Sequence, residues 1–161
     1  TNTFFKIKCQ ITKKIWFSEI YTVIFYAQKN KEFDEPFDGI VYAVMVAMGF
    51  AALENIMYVF QFGMTNGIVR AFTAVPAHAT FGILMGYFMG KAKFAKTKKE
   101  KIRLNLTGLF AATLVHGLYD FFLFINFIPG ISIGAFLSLI FGVLLSRKAI
   151  KKHQENSHFK H

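Results

Sequence analysis

Apolar residues along this chain fall in long blocks rather than in the short alternations of an amphipathic soluble fold. Residues 38–62 are apolar apart from Asp38, Glu54, Asn55 and Gln61. A second block covers 67–90, with Arg70 near its start and Pro76 inside it. A third runs over 104–128, is broken at Pro129-Gly130, and is followed by a fourth over 131–146. At 1.5 Å per residue the first three are long enough for a hydrocarbon layer of roughly 30 Å, and the fourth needs a thin bilayer or some of its flank. Proline removes a backbone donor, so the pattern predicts a kink in the second block at Pro76. The first thirty residues read as an atypical or truncated first helix. Residues 15–27 are apolar except for Ser18, Glu19 and Thr22, and lysines crowd the stretch before them.

Composition sharpens this pattern. The chain has 161 residues, 54% of them hydrophobic and 17% aromatic, with a formal charge of +10. That is too apolar for an ordinary soluble domain and leaves no room for a separate one. The expected fold is therefore all-α: a polytopic transmembrane helix bundle of four to five spans forming a single membrane-embedded domain over 1–161. The excess positive charge does not point to nucleic acid, because it clusters in Lys91–Arg103 and Arg147–Lys152, flanking apolar runs. With five crossings these two clusters and Lys29–Lys31 fall on one side, which the positive-inside rule makes the cytoplasm. The expected location is thus a multi-pass protein of the cell membrane, with residues 147–161 as a cytoplasmic tail. Cys9 is the single cysteine, so neither an intrachain disulfide nor a thiolate metal cluster can form. The chain opens at Thr1 with no signal peptide and reads as a fragment or processed product.

Against this background Glu54, His78, His116 and Asp120 stand out. An ionisable group in hydrocarbon costs roughly 2.5–3.5 kcal/mol even on the lenient insertion scale. Helical rise places Glu54 and Asp120 about 24 Å, and His78 and His116 about 18 Å, from the cytoplasmic ends of their helices, in one shared layer. His116 and Asp120 are four apart and so share a helix face, where a carboxylate can fix the imidazole tautomer and raise its basicity. A desolvated glutamate beside imidazoles suits a general base that activates water. The same residue types could instead line a proton or ion pathway, bind Zn²⁺ or Mn²⁺, or simply hydrogen-bond between helices. No His-Glu-x-x-His pattern is present to support the zinc-protease case. Gly82, Gly86 and Gly90 repeat every four residues, which predicts a face where another helix packs closely.

These residues also form an ordered series. The run Glu32-Phe33-Asp34-Glu35-Pro36-Phe37-Asp38 leads to Phe50-Ala51-Ala52-Leu53-Glu54-Asn55, then to His78, then to His116-Gly117-Leu118-Tyr119-Asp120. Over roughly residues 32–125 the series resembles the PrsW family of bacterial intramembrane proteases, related to the CAAX-prenyl endopeptidase superfamily. The resemblance implies a glutamate-dependent endopeptidase that works without metal or cofactor and cleaves single-span membrane proteins, such as an anti-sigma factor at its first cut. By position it implies Glu54, His78, His116 and Asp120 as catalytic, with Asn55 and Tyr119 binding substrate or the oxyanion. The chain departs from the family pattern at one place. Where a Glu-Glu-x-x-Lys motif stands in the family, this chain carries Cys9-Gln10-Ile11-Thr12-Lys13. Lys13 fits and both glutamates are missing. Two other classes therefore stay open: a membrane-helix-binding homologue that does not cleave, and a small ion- or proton-coupled transporter.

Overall fold

The computed structural model describes residues 26–124 and 132–156. The atypical first helix at 15–27, the Cys9–Lys13 stretch and residues 125–131 fall wholly or mostly outside the described residues. All regular structure among those described is helical. A short 3-10 turn at Ala27–Lys29 precedes five α-helices: α1 (Pro36–Phe62), α2 (Met64–Phe72), α3 (Ala74–Lys93), α4 (Lys98–Phe124) and α5 (Ser132–Glu155).

Local chemistry sets the ends of α1. Pro36 occupies the first turn, where a missing N–H is harmless, and Glu35 and Asp38 form a reciprocal cap. Asp38 Oδ2 accepts the N–H groups of Glu35 at 2.9 Å and Asp34 at 3.0 Å. The acidic loop noted in the sequence thus serves as a helix start. At the other end Gly63 adopts φ +84°, a conformation that glycine reaches without a Cβ clash. Its N–H donates to the Val59 carbonyl at 2.9 Å. This single residue reverses the chain, and α2 folds back along the end of α1.

The kink expected at Pro76 is realised as a break at Thr73, three residues earlier. The reason is steric economy. Proline is tolerated in the first turn of a helix, so the chain starts a new helix ahead of it rather than bending a continuous one. Thr73 Oγ1 donates to the Val69 carbonyl at 2.9 Å and satisfies an acceptor at the break.

Helix α3 is central and packs against α1, α4 and α5. Its contact with α1 is made by the predicted glycine face. A Cβ at Gly82 would meet Ala47 Cβ at 3.0 Å, and one at Gly86 would lie 2.7 Å from Ile40 Cα. A Cβ at Gly90 would run into the Pro36 carbonyl. Backbones this close gain dispersion that larger residues would forbid. On the remaining faces of α3, Phe81, Leu84, Met85 and Met89 interleave with Ala112, Val115 and Tyr119 in the core. Ser146 on α5 donates to the Thr80 carbonyl at 3.3 Å.

The outer surface is apolar. Met45, Leu53, Phe60, Phe72, Phe110, Phe121, Phe136 and Phe141 are all exposed. Such a continuous greasy exterior is unsuited to water and suits lipid. Two stretches, Pro36–Phe62 and Met64–Lys93, are long and apolar enough to cross a membrane. The described parts of the expected spans, residues 104–124 and 132–146, lie within α4 and α5, both of which carry basic turns at one end. The tail expected from 147 continues as helix to Glu155.

The start of α1, the end of α3, the start of α4 and the end of α5 gather at one end of the bundle. Gln28 Nε2 donates there to the Met89 carbonyl at 3.1 Å and to Asn105 Oδ1 at 3.3 Å, and Lys93 Nζ donates to the Gln28 carbonyl. His153 sits buried at the same end, its ring centroid 4.4 Å from that of Tyr87 and its N–H on the Pro36 carbonyl. Burial, helped by the nearby Lys91 and Lys152, pushes its pKa below the ordinary imidazole value. The basic clusters therefore share one end, and the ionisable layer lies well removed from it.

Candidate functional site

Three helices bring the four predicted ionisable residues into one file. Glu54 comes from α1, His78 from the second turn of α3, and His116 and Asp120 from α4. His78 Nε2 is 3.3 Å from Glu54 Oε2, and His116 Nε2 is 3.3 Å from Asp120 Oδ2. The two imidazoles face each other edge to face, with ring centroids 5.2 Å apart. Two carboxylate–imidazole pairs thus stand side by side, as their common depth along the helices implied.

Aromatic rings fix the imidazoles. Phe81, one turn before Met85 in the core, stacks on His116 at 4.8 Å with its plane tilted by 16°. Phe50 meets His78 edge-on at 5.3 Å. Such contacts limit rotation about χ2 and keep the ring nitrogens aimed at their carboxylates. Asp120 differs from the others in exposure, since its side chain is 41% accessible while that of His78 is 6%. The file therefore runs from a dry interior at His78 to an open edge at Asp120.

Sequence reasoning noted Arg70 only as a charge near the start of a span. In the structure Arg70 Nη2 lies 2.5 Å from Glu54 Oε2, and its guanidinium carbon sits 3.6 Å from the Tyr58 ring centroid. The signal was present. Charges inside spans pair with one another, and Glu54 and Arg70 lie at similar distances on either side of the Gly63 reversal. What hid it was the expectation of one continuous span over 67–90, which separates Arg70 from Glu54 in depth.

The two residues expected to bind substrate or oxyanion have other partners. Asn55 Nδ2 donates to the Gly67 carbonyl at 3.1 Å and fastens α2 to α1. The Tyr119 hydroxyl is bonded to the Thr73 side chain and closes α4 over the α2–α3 break. Both shape the site from its border. Asn55 Oδ1 and Asn66 Oδ1 are buried without a hydrogen-bond partner among the described residues.

Comparison with known proteins places the chain in a family. The family described as "PrsW family intramembrane metalloprotease" matches residues 19–146. A protein named "Protease PrsW" from Geobacillus kaustophilus is 40% identical over 131 residues, covering 81% of this chain and 57% of that protein. Proteins of the same name from Oceanobacillus iheyensis and Bacillus subtilis are each 43% identical over 108 residues, covering 66% and 67% of this chain and 49% and 47% of theirs. The chain thus spans about half the length of these relatives. No solved structure matches it.

The family description implies a metal ion, and the residues present can be tested against one. Among the described residues no three His, Cys, Asp or Glu side chains gather closely enough to hold an ion. The donors come as two pairs, and the Arg70 cation already faces the inner carboxylate oxygen of one pair. The described side chains do not fit a resident metal.

Proposed function

Because this chain belongs to the PrsW family, we propose that it is an intramembrane endopeptidase acting on single-span membrane proteins, anti-sigma factors among them. The observation that carries the reading is the pairing of Glu54 with His78 directly beside the pairing of His116 with Asp120. Peptide hydrolysis needs a proton acceptor for water, a donor for the leaving nitrogen, and positive charge near the developing oxyanion.

Each need has a candidate in the file. Water enters from the open Asp120 edge and lies beside the two carboxylate–imidazole pairs. Its oxygen attacks the scissile carbonyl carbon while its proton passes to the Glu54–His78 pair. His116, held in place by Asp120, donates to the carbonyl oxygen as that oxygen becomes negative. Collapse of the tetrahedral intermediate breaks the C–N bond, and the pair returns its proton to the leaving nitrogen. The second water proton stays on the new hydroxyl, so the products are a carboxylic acid and an amine. In this reading the bundle crosses the membrane several times, the basic end and the carboxyl terminus lie in the cytoplasm, and cleavage occurs in the outer half of the bilayer.

The test is reconstitution of the full-length protein in liposomes with a tagged single-span reporter. Cleavage should be lost, by a factor of about 10²–10⁴, in His116→Ala and in Glu54→Gln. Cleavage that survives both substitutions overturns the assignment. The Cys9-Gln10 pair, standing where the family carries two glutamates, favours a second reading in which the chain holds a membrane helix without cutting it. Co-purification of an intact single-span partner with no product separates the two.

A further inference from the structure

The proposed chemistry requires the Glu54–His78 pair to accept a proton, so the charge state of Glu54 decides how the pair works. A carboxylate in a lipid-embedded bundle tends to take up a proton and become neutral unless a cation holds it ionised. Arg70 is placed to do that. Its Nη2 and the His78 Nε2 both approach the same oxygen, Oε2, at 2.5 Å and 3.3 Å. The guanidinium is not a loose surface group. Its side chain is 17% exposed against 14% for Glu54, the Tyr58 ring backs it at 3.6 Å, and its Nε is buried without a partner among the described residues.

The backbone is built around this contact. Arg70 lies on α2, nine residues long, which the Gly63 reversal and the Thr73 break set apart from both neighbouring helices. Asn55, next to Glu54, bonds to Gly67 three residues before Arg70 and ties α2 against the last turns of α1. Among the described residues, the short helix α2 thus carries the cation that reaches Glu54. An arginine serves here better than a lysine because its planar fork can meet a carboxylate edge-on and lie flat on an aromatic ring together.

We propose that Arg70 is a positioning residue of the protease site: it supplies the fixed positive charge at Glu54 that keeps this carboxylate ionised, so that the pair receives the proton of water on His78. The assignment rests on the protease reading. It also accounts for the misfit with a metal ion, because the guanidinium stands where a cation would sit on Oε2.

The test uses the full-length protein in lipid nanodiscs with the single-span reporter. Arg70→Met should lower kcat about a hundredfold while KM stays within about threefold, the scale expected when a reacting group loses its orientation. Guanidinium ion added at tens of millimolar should restore at least about a tenth of the lost rate, and methylammonium should not. Arg70→Lys should recover little. A fall confined to KM, or a folded Arg70→Met protein that guanidinium does not rescue, overturns the assignment. If the wild type cleaves no reporter, the protease reading fails and the Arg70–Glu54 contact is still decided by a double-mutant cycle of Arg70→Met and Glu54→Gln in thermal unfolding. Coupling of tenfold or more in the unfolding constant supports the contact, and additivity refutes it.

Discussion

Replacing Gly86 by alanine adds one methyl group at a point where the backbones of α1 and α3 come close together. The new Cβ would sit 2.7 Å from Ile40 Cα and 2.8 Å from the Gly39 carbonyl carbon. The Gly39 carbonyl oxygen lies nearer still, so reaching ordinary contacts of about 3.4 Å requires the helices to separate by roughly 1 Å, and these neighbours are backbone atoms that cannot rotate away. Overpacking of this kind costs about 1–3 kcal/mol. For a chain of this length each kcal/mol moves the thermal midpoint by about 2–4 °C. The change should also reach the site. Gly86 lies eight residues, about 12 Å, from His78 on the same helix. A separation of this size carried along α3 takes His78 Nε2 out of hydrogen-bond range of Glu54, from which it is now 3.3 Å away. Activity should then fall about a hundredfold, the usual cost of a 1 Å misplacement. Gly49→Ala is the control, because a Cβ there meets nothing within 4 Å and adds helix propensity of up to about 1 kcal/mol. The assay is thermal unfolding in detergent followed by size-exclusion chromatography, with reporter cleavage in parallel. A Gly86→Ala protein as stable and active as wild type, or a Gly49→Ala protein equally damaged, would refute the reasoning.

Three further predictions concern other parts of the bundle. Asp38→Ala removes the acceptor for the Asp34 and Glu35 N–H groups and should destabilise the protein by about 1 kcal/mol, measured as a lower thermal midpoint with intact helicity. Asn55→Leu frees the Gly67 carbonyl and should loosen α2, lowering stability by about 1–2 kcal/mol and raising hydrogen exchange across Gly63–Thr73. His153 gives a pH dependence whose sign follows from its lowered pKa. The unfolded chain binds the proton more readily than the folded one, so stability is full above the ordinary imidazole value of 6.5 and falls as pH drops below it. His153→Leu should flatten thermal midpoints measured between about pH 5 and pH 7, and an unchanged slope would exclude this histidine as its source.

The block pattern of apolar residues determined the helical class and its lipid-facing surface, because helices are the economical way to satisfy backbone groups in a continuous apolar run. Four-residue spacing determined that α3 has a face open to close packing, since Gly82, Gly86 and Gly90 must share a face whatever packs there. The same arithmetic of rise and period determined that Glu54, His78, His116 and Asp120 share a layer. It did not determine which of them touch. Periodicity fixes depth and azimuth on a single helix, whereas the pairing of Glu54 with His78 depends on how helices are rotated against one another. Only the tertiary structure decided that, through the glycine contact and the Phe81–His116 stack. Arg70 was hidden for a related reason. Gly63 reverses the chain and Thr73 breaks it ahead of Pro76, so a charge that a continuous span would leave near its end comes instead to rest on Glu54.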